Sequence, residues 1–313
     1  MTTRLVRACF VCQLAAAAAV AHCAGPIVSP AWLKQRLGAA GVVVLEVSWT
    51  QAKTPEDYNA GHVPGAIHLD TDDLENGYPR WQLRPVEELH RVIGGLGIGP
   101  RTTVVVYGKK TIAAARAWWV LHYAGVREVR MLNGGYGAWL RAGYASETKS
   151  VVPVARSFAA RVRDEALATT EYVDGKRASA AVVLADVRSR DEFLGEVSGY
   201  DYLDRKGRLP GAIHLENADD SAAIYQHANG TLREVDEIRR LWRRNGLPES
   251  GEIVFYCGTG WRSSLAFLYT KAMGRERVRN YSDGWAGWST IYEREPGYRE
   301  GSTPGWRQRS RHQ

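Results

Sequence analysis

The chain has 313 residues, 45% hydrophobic and 24% charged, a balance that fits about two globular domains and excludes a disordered or low-complexity polymer. Its formal charge is +7, but Arg4, Arg7, Arg307, Arg309 and Arg311 lie at the two ends, and +7 less these five leaves +2. That is no nucleic-acid footprint, and beyond the N-terminal segment there is no long apolar run to argue a membrane span.

The first predicted element is a leader. Residues 1–21 carry Arg4 and Arg7, no acidic residue, an apolar stretch over 8–20 and small residues at the end, the layout of a secretory signal peptide spanning 1–23. The apolar run is short for a bilayer span. Val20-Ala21-His22-Cys23 matches a lipoprotein box only loosely, because His22 stands where a small residue is expected, so export is favoured over lipid anchoring. The mature chain is therefore expected in the periplasm or outside the cell. Cys9, Cys12 and Cys23 fall in this segment, which leaves Cys257. A lone cysteine in an oxidising compartment builds no internal disulfide framework, and a reactive thiol explains it better.

The rest of the chain repeats itself. GHVPGAIHLD from Gly61 returns as GRLPGAIHLE from Gly207, VVVYG ending at Gly108 returns as IVFYC ending at Cys257, and NGGYGAW from Asn133 returns as SDGWAGW from Ser282. Three matches in one order, at nearly constant spacing, mean a duplicated domain rather than a solenoid of short units. Strands are predicted over 42–47, 66–69, 104–107 and 129–132 in the first copy, and over 182–187, 212–215, 253–256 and 278–281 in the second. Helical segments alternate with them, which argues an α/β fold: two tandem domains, over 28–150 and 165–300, each a mostly parallel sheet with helices on both faces. A polar connector near 156–170 joins them, and a basic polar tail occupies 301–313.

The chemistry concentrates at Cys257, which ends one predicted strand. The string EIVFYCGTGWRSSLAFLY reads as a buried strand, a glycine-rich loop, and a helix from Ser263 onward. Gly258 and Gly260 allow a tight turn that aims several N–H groups at Sγ, and the helix N-terminus adds partial positive charge; both favour the thiolate. Taken alone, Cys257 could equally be a buried structural thiol. A core cysteine, however, has no need of two glycines and Arg262 directly after it. Ligands in such sheets sit beyond the carboxyl ends of the strands, where Cys257 lies. No His, Cys and carboxylate spacing around it makes a metal site, and no cofactor is implied.

The duplicated Pro-Gly-Ala-Ile-His strand, Asp186-Val187-Arg188 followed by Glu192-Phe193, the Cys257 loop and the Asp283-Gly284-Trp285 turn resemble the rhodanese sulfurtransferases over nearly the whole mature chain. Cys-Gly-Thr-Gly-Trp-Arg and the inserted Gly199-Tyr200-Asp201-Tyr202 look most like the exported bacterial multi-rhodanese type. The resemblance implies that only the second domain is catalytic, in keeping with Gly108 at the cysteine position of the first, where Lys109-Lys110-Thr111-Ile112 cannot form the same cradle. It implies transfer of sulfane sulfur from a small anionic donor such as thiosulfate to cyanide or a thiol, through a persulfide on Cys257. The N–H groups of residues 258–263 would hold the anion, with Gly258, Thr259, Gly260, Trp261 and Ser263 as the binding loop, Ser264 as a further hydroxyl donor and Trp261 as a pocket wall. Arg262 is expected either to pair with an acid and hold the loop or to touch the anion itself. Arg188 is expected to face substrate, with Asp186 as a brace. His68 and His214, present in both copies, read as scaffold. Two alternatives stay open: 3-mercaptopyruvate as donor, and a carrier that ferries sulfur to an exported partner without turnover. Cysteine phosphatases place five residues between cysteine and arginine, whereas here four intervene, which disfavours phosphate. A monomer is expected.

Overall fold

A computed structural model describes residues 25–49, 56–78, 81–215 and 223–291; the predicted leader, the tail and the last residues of the second predicted domain lie outside them. The first unit runs β1 (Ile27–Val28), α1 (Pro30–Lys34), β2 (Val42–Ser48), α2 (Glu56–Ala60), β3 (Ile67–Asp70), α3 (Val86–Gly95), β4 (Thr103–Gly108), α4 (Thr111–Tyr123), β5 (Glu128–Leu132) and α5 (Gly135–Arg141). The second repeats it: β6 (Leu167–Ala168), α6 (Thr170–Lys176), β7 (Val182–Asp186), α7 (Arg190–Leu194), β8 (Ile213–His214), α8 (Val235–Arg244), β9 (Glu252–Tyr256), α9 (Trp261–Ala272), β10 (Val278–Tyr281) and α10 (Gly284–Ile291). Each sheet is five-stranded and parallel, ordered β1-β5-β4-β2-β3 and β6-β10-β9-β7-β8. The short edge strands β1 and β6 are too brief to leave a periodic signal, and the sequence did not reveal them.

β4 and β9 sit centrally, and both read as continuous apolar runs because helices cover both faces. α4, TIAAARAWWVLHY, is apolar nearly all round and almost wholly buried, which a surface helix would not tolerate. Its second partner is α9, buried in the same way: Trp118 of α4 lies 6.2 Å from the ring of Phe267 on α9. The two helices that leave the central strands thus form the seam between the domains. α3 and α8 are amphipathic and lie on the outside, burying Leu89 and Ile93, or Ile238 and Trp242. Among the described residues no helix is long and apolar enough to cross a membrane.

Candidate active site

Cys257 follows the last residue of β9, and Gly260 is the N-cap of α9, so the loop between them is only residues 257–260. Its carbonyls are tied back: Trp285 N–H donates to Cys257 O at 2.7 Å and Ala286 N–H to Gly258 O at 3.0 Å. In a planar peptide the N–H points opposite to the C=O, so anchoring these oxygens turns the amides that follow toward the other side. The Asp283-Gly284-Trp285 motif exists for this contact. Gly284 has φ +55°, and a Cβ there would sit 2.5 Å from both anchored oxygens. Gly260 adopts φ +82°, and its missing Cβ makes room for Arg116 and Ser282. In the first turn of α9 the N–H groups of Trp261, Arg262 and Ser263 have no carbonyl within the helix to bond.

Cys257 is 1% exposed and lines a cavity of about 420 Å³. Thr259, Trp261 and Arg262 line it from the same loop, and Gly199, Tyr200, Asp201 and Tyr202 from the inserted segment. The remaining wall comes from the first domain: Trp49, Tyr78, Trp81, Lys110 and Ile112. The mouth is aromatic, with Trp261 5.7 Å from Trp49 and 6.4 Å from Trp81, and Trp81 4.9 Å from Tyr202. Lys110 Nζ stands 5.3 Å from the Trp49 ring and brings a positive charge to this wall.

The inserted segment reaches the loop itself. In the first domain the Pro-Gly-Ala-Ile-His motif follows α2 directly, whereas in the second, residues 195–206 intervene after α7. From them Tyr200 extends its hydroxyl to accept the Gly258 N–H at 2.9 Å and a hydrogen bond from Arg262 Nη2. One amide of the loop is therefore occupied by a phenol, whose pKa burial raises well above its ordinary value.

Ser263 Oγ lies 3.6 Å from Cys257 Sγ and 2.6 Å from Asn280 Oδ1, so its single proton has two destinations. Asn280 is fixed in turn, its Nδ2 donating to Gly260 O and Ser264 Oγ, both at 3.0 Å. Arg262 makes a two-pronged pair with Glu192, both nitrogens at 2.8 Å. Burial opposes ionisation of Glu192, but the Arg262 hydrogen bonds and charge prevail and hold its carboxyl below the usual range. Glu192 also closes the capping box of α7 with Ser189. Of the two roles expected for Arg262, acid pairing is the one present, although its side chain still borders the cavity.

Arg188 departs from the expectation of a substrate-facing cation. It is 0% exposed and is not part of the cavity wall. Nε and Nη2 bond Asp186 at 3.0 and 2.7 Å, Nη2 also bonds Gly207 O at 2.7 Å, and the guanidinium lies 5.5 Å from the Tyr256 ring and 5.3 Å from that of Trp285. The cause is Asp186 two residues earlier: fully buried at the end of β7, it needs a cation, and Arg188 is the one in reach. His214 Nε2 contacts Arg188 O, and His68 Nε2 contacts Ser48 Oγ, so both histidines brace strand ends.

Several site residues gave no sequence signal. Arg116, in the middle of α4 of the first domain, donates to Glu75, to Ser282 Oγ at 2.8 Å and to Gly260 O at 3.4 Å. Glu75 accepts from Trp261 Nε1 at 2.9 Å through its second oxygen. The first domain thus holds the catalytic loop by both its carbonyl and its tryptophan. Burial pushes the Glu75 carboxyl up to about 7 against the opposing pull of Arg116. Arg116, Asn280 and Tyr200 could not be located from the string, because each acts across tens of residues. Only the quoted Gly-Tyr-Asp-Tyr insertion hinted at Tyr200.

The Rhodanese-like domain family model matches the chain twice, over residues 29–142 and 169–291. The thiosulfate sulfurtransferase YnjE of Escherichia coli is 34% identical over 253 residues, 79% of this chain, which spans only 57% of that longer relative. The thiosulfate sulfurtransferase of Azotobacter vinelandii is 30% identical over 265 residues, covering 84% of this chain and 93% of that protein. Among solved structures, the anaerobic ergothioneine biosynthesis enzyme of Chlorobium limicola, in complex with trimethyl histidine, superposes with a TM-score of 0.81 at 32% identity, over 89% of this chain and 70% of that one.

Proposed function

The chain belongs to the rhodanese-like family, as a tandem of two such domains, and from that premise we propose that it is a thiosulfate-type sulfurtransferase working through a persulfide on Cys257. The observation that carries the proposal is the placement of Cys257 on the wall of a cavity of about 420 Å³, where a strand gives way to a glycine turn and a helix N-terminus. Cys257 Sγ attacks the outer sulfur of thiosulfate. The donor S–S bond breaks, sulfite leaves with the bonding electron pair, and the transferred sulfur remains on Sγ carrying the negative charge. Amides of residues 258–263 offer that sulfur a preorganised seat, each aligned donor worth about 3 kcal/mol. Tyr200 holds the Gly258 N–H in the resting protein, so the phenol must withdraw before that amide serves. Cyanide or a thiolate then attacks the terminal sulfur and Cys257 leaves as thiolate, which divides one displacement into two. Lys110, rather than Arg188, brings positive charge to the cavity wall where a dianionic donor enters.

Export of the mature chain belongs to the same proposal and rests on the arginine-led apolar leader. A steady-state assay with thiosulfate and cyanide tests the function: thiocyanate produced over many turnovers supports an enzyme, whereas one sulfur loaded without turnover makes the chain a carrier.

The aromatic mouth favours a second reading of the acceptor. Trp49, Trp81 and Trp261 line the cavity together, aromatic rings are the groups that hold methylated ammonium ions, and the Chlorobium limicola relative was solved with trimethyl histidine. Incubating the persulfidated protein with trimethyl histidine tests it: appearance of the sulfurated imidazole supports this acceptor, and its absence alongside active thiocyanate formation removes it.

A further inference from the structure

At the carboxyl edge of the first sheet Gly108 stands where the second domain has Cys257, yet a cleft of about 440 Å³ lies there. This is not a damaged copy of the Cys257 site that one substitution would restore. A Cβ at Gly108 would lie 2.4 Å from Val47 O, so no cysteine fits there without moving backbone.

The cleft has its own buried acid. Glu46 pairs in register with Tyr107 and His68, as Asp186 does with Tyr256 and His214, so the two carboxylates hold equivalent places. Their surroundings differ. Asp186 is held by Arg188 and by the Tyr256 hydroxyl at 2.6 Å, whereas the first domain has Ser48 in place of that arginine, with its Oγ 2.6 Å from His68 Nε2. Glu46 is 4% exposed, borders the cleft, and its Oε2 is buried without a hydrogen-bond partner. Burial and then the nearby Asp57 charge push its carboxyl up to about 7. A buried acceptor left unmatched is costly, and one that borders a cavity is open to a ligand that supplies the donor.

Charge selects the ligand. Asp57 at the cleft is paired with Lys109 Nζ at 3.0 Å, and Arg141 Nη2 donates to Asn229 O at 2.8 Å, which leaves Glu46 as the bordering acid with no cation of its own among the described residues. An anion would meet Glu46 directly. The second domain closes the outer side, with Gln226 bonded to Thr111 Oγ1 and Leu232 N–H to Asn133 Oδ1, both at 2.7 Å. We propose that this cleft of the first domain binds a small organic cation, an ammonium, amidinium or imidazolium whose N–H groups meet Glu46 Oε2 and whose body lies between Tyr136 and the segment 226–232.

The test uses the full chain and benzamidine as probe, read by calorimetry at pH 8 without any sulfur donor, so it stands or falls independently of sulfur transfer. Saturable one-to-one binding is expected, weakened about tenfold or more in Glu46→Gln, whose folding is verified by its thermal transition. Asp57→Asn, altered at an exposed side chain, should weaken binding by a smaller factor. A crystal soaked with benzamidine should show it against Glu46. Absence of saturable binding, equal affinity in folded Glu46→Gln, or density only in the aromatic cavity beside Cys257 would overturn the proposal.

Discussion

Replacing Arg116 by methionine removes the cation from the buried link between the domains while keeping most of the side chain's bulk. Glu75 Oε1, Ser282 Oγ and Gly260 O each lose a donor, and the packing of the guanidinium 4.9 Å from the Trp119 ring goes too. Removing one member of a buried ion pair costs about 3–5 kcal/mol. Glu75 can limit the loss by taking a proton, since burial already pushes its carboxyl to about 7. A carboxyl whose folded pKa exceeds its unfolded value loses stability as pH rises between the two. Without Arg116 the folded value climbs further, so the deficit grows above pH 7. Urea unfolding at pH 6 and pH 8 should therefore show the variant weaker at both, by about 3 kcal/mol at pH 8 and less at pH 6. Persulfide loading should slow as well, because Gly260 and Ser282 lose their brace. A deficit below roughly 1 kcal/mol at pH 8, with unchanged loading, would refute a first domain that holds the catalytic loop.

Three further outcomes follow from the geometry. Tyr200→Phe frees the Gly258 N–H from a hydrogen bond worth about 0.5–1.5 kcal/mol, so kcat/KM for donor loading should rise roughly two- to tenfold; a fall would show that the hydroxyl aids the chemistry instead. Glu46, lifted from 4.5 to about 7, costs the fold increasing stability as pH rises through that window and its full amount above it. Glu46→Gln should accordingly unfold at a higher temperature than the parent at pH 8, by a margin on the order of 3 kcal/mol at most, with no gain at pH 4; a pH-independent difference would contradict this. Arg188→Ala strands Asp186 in the core, so stability should fall by about 3–5 kcal/mol while the donor KM of the folded fraction stays unchanged. A raised KM with native stability would return Arg188 to the substrate.

What the string made visible was local or repeated. The three duplicated motifs set out two α/β units in order, and the Val-rich runs marked β2, β4, β7 and β9 because burial on both faces leaves a continuous apolar signature. The Cys257 loop was legible because strand, glycines and helix start are contiguous. The Asp-Gly-Trp turn was visible as a repeat, but its task of anchoring the Cys257 and Gly258 carbonyls was not. Arg188 shows the limit of carrying a role by resemblance: position after a strand says which edge a residue occupies, whereas the direction of its side chain was decided by the nearer demand of Asp186. Glu75 looks like an ordinary surface charge in the sequence, and Arg116 stands as one charge inside an apolar helix with no partner in view. In the fold α4 packs against α9, and both residues meet a loop more than a hundred residues away, Arg116 at Gly260 O and Glu75 at Trp261 Nε1.

Intact-mass and peptide analysis of the purified chain after exposure to thiosulfate examines the persulfide itself. One added sulfur atom on the peptide containing Cys257, removed by cyanide and absent from a folded Cys257→Ser variant, is the predicted result. No added sulfur on the folded parent, or the same gain in Cys257→Ser, would contradict sulfur transfer through this thiol.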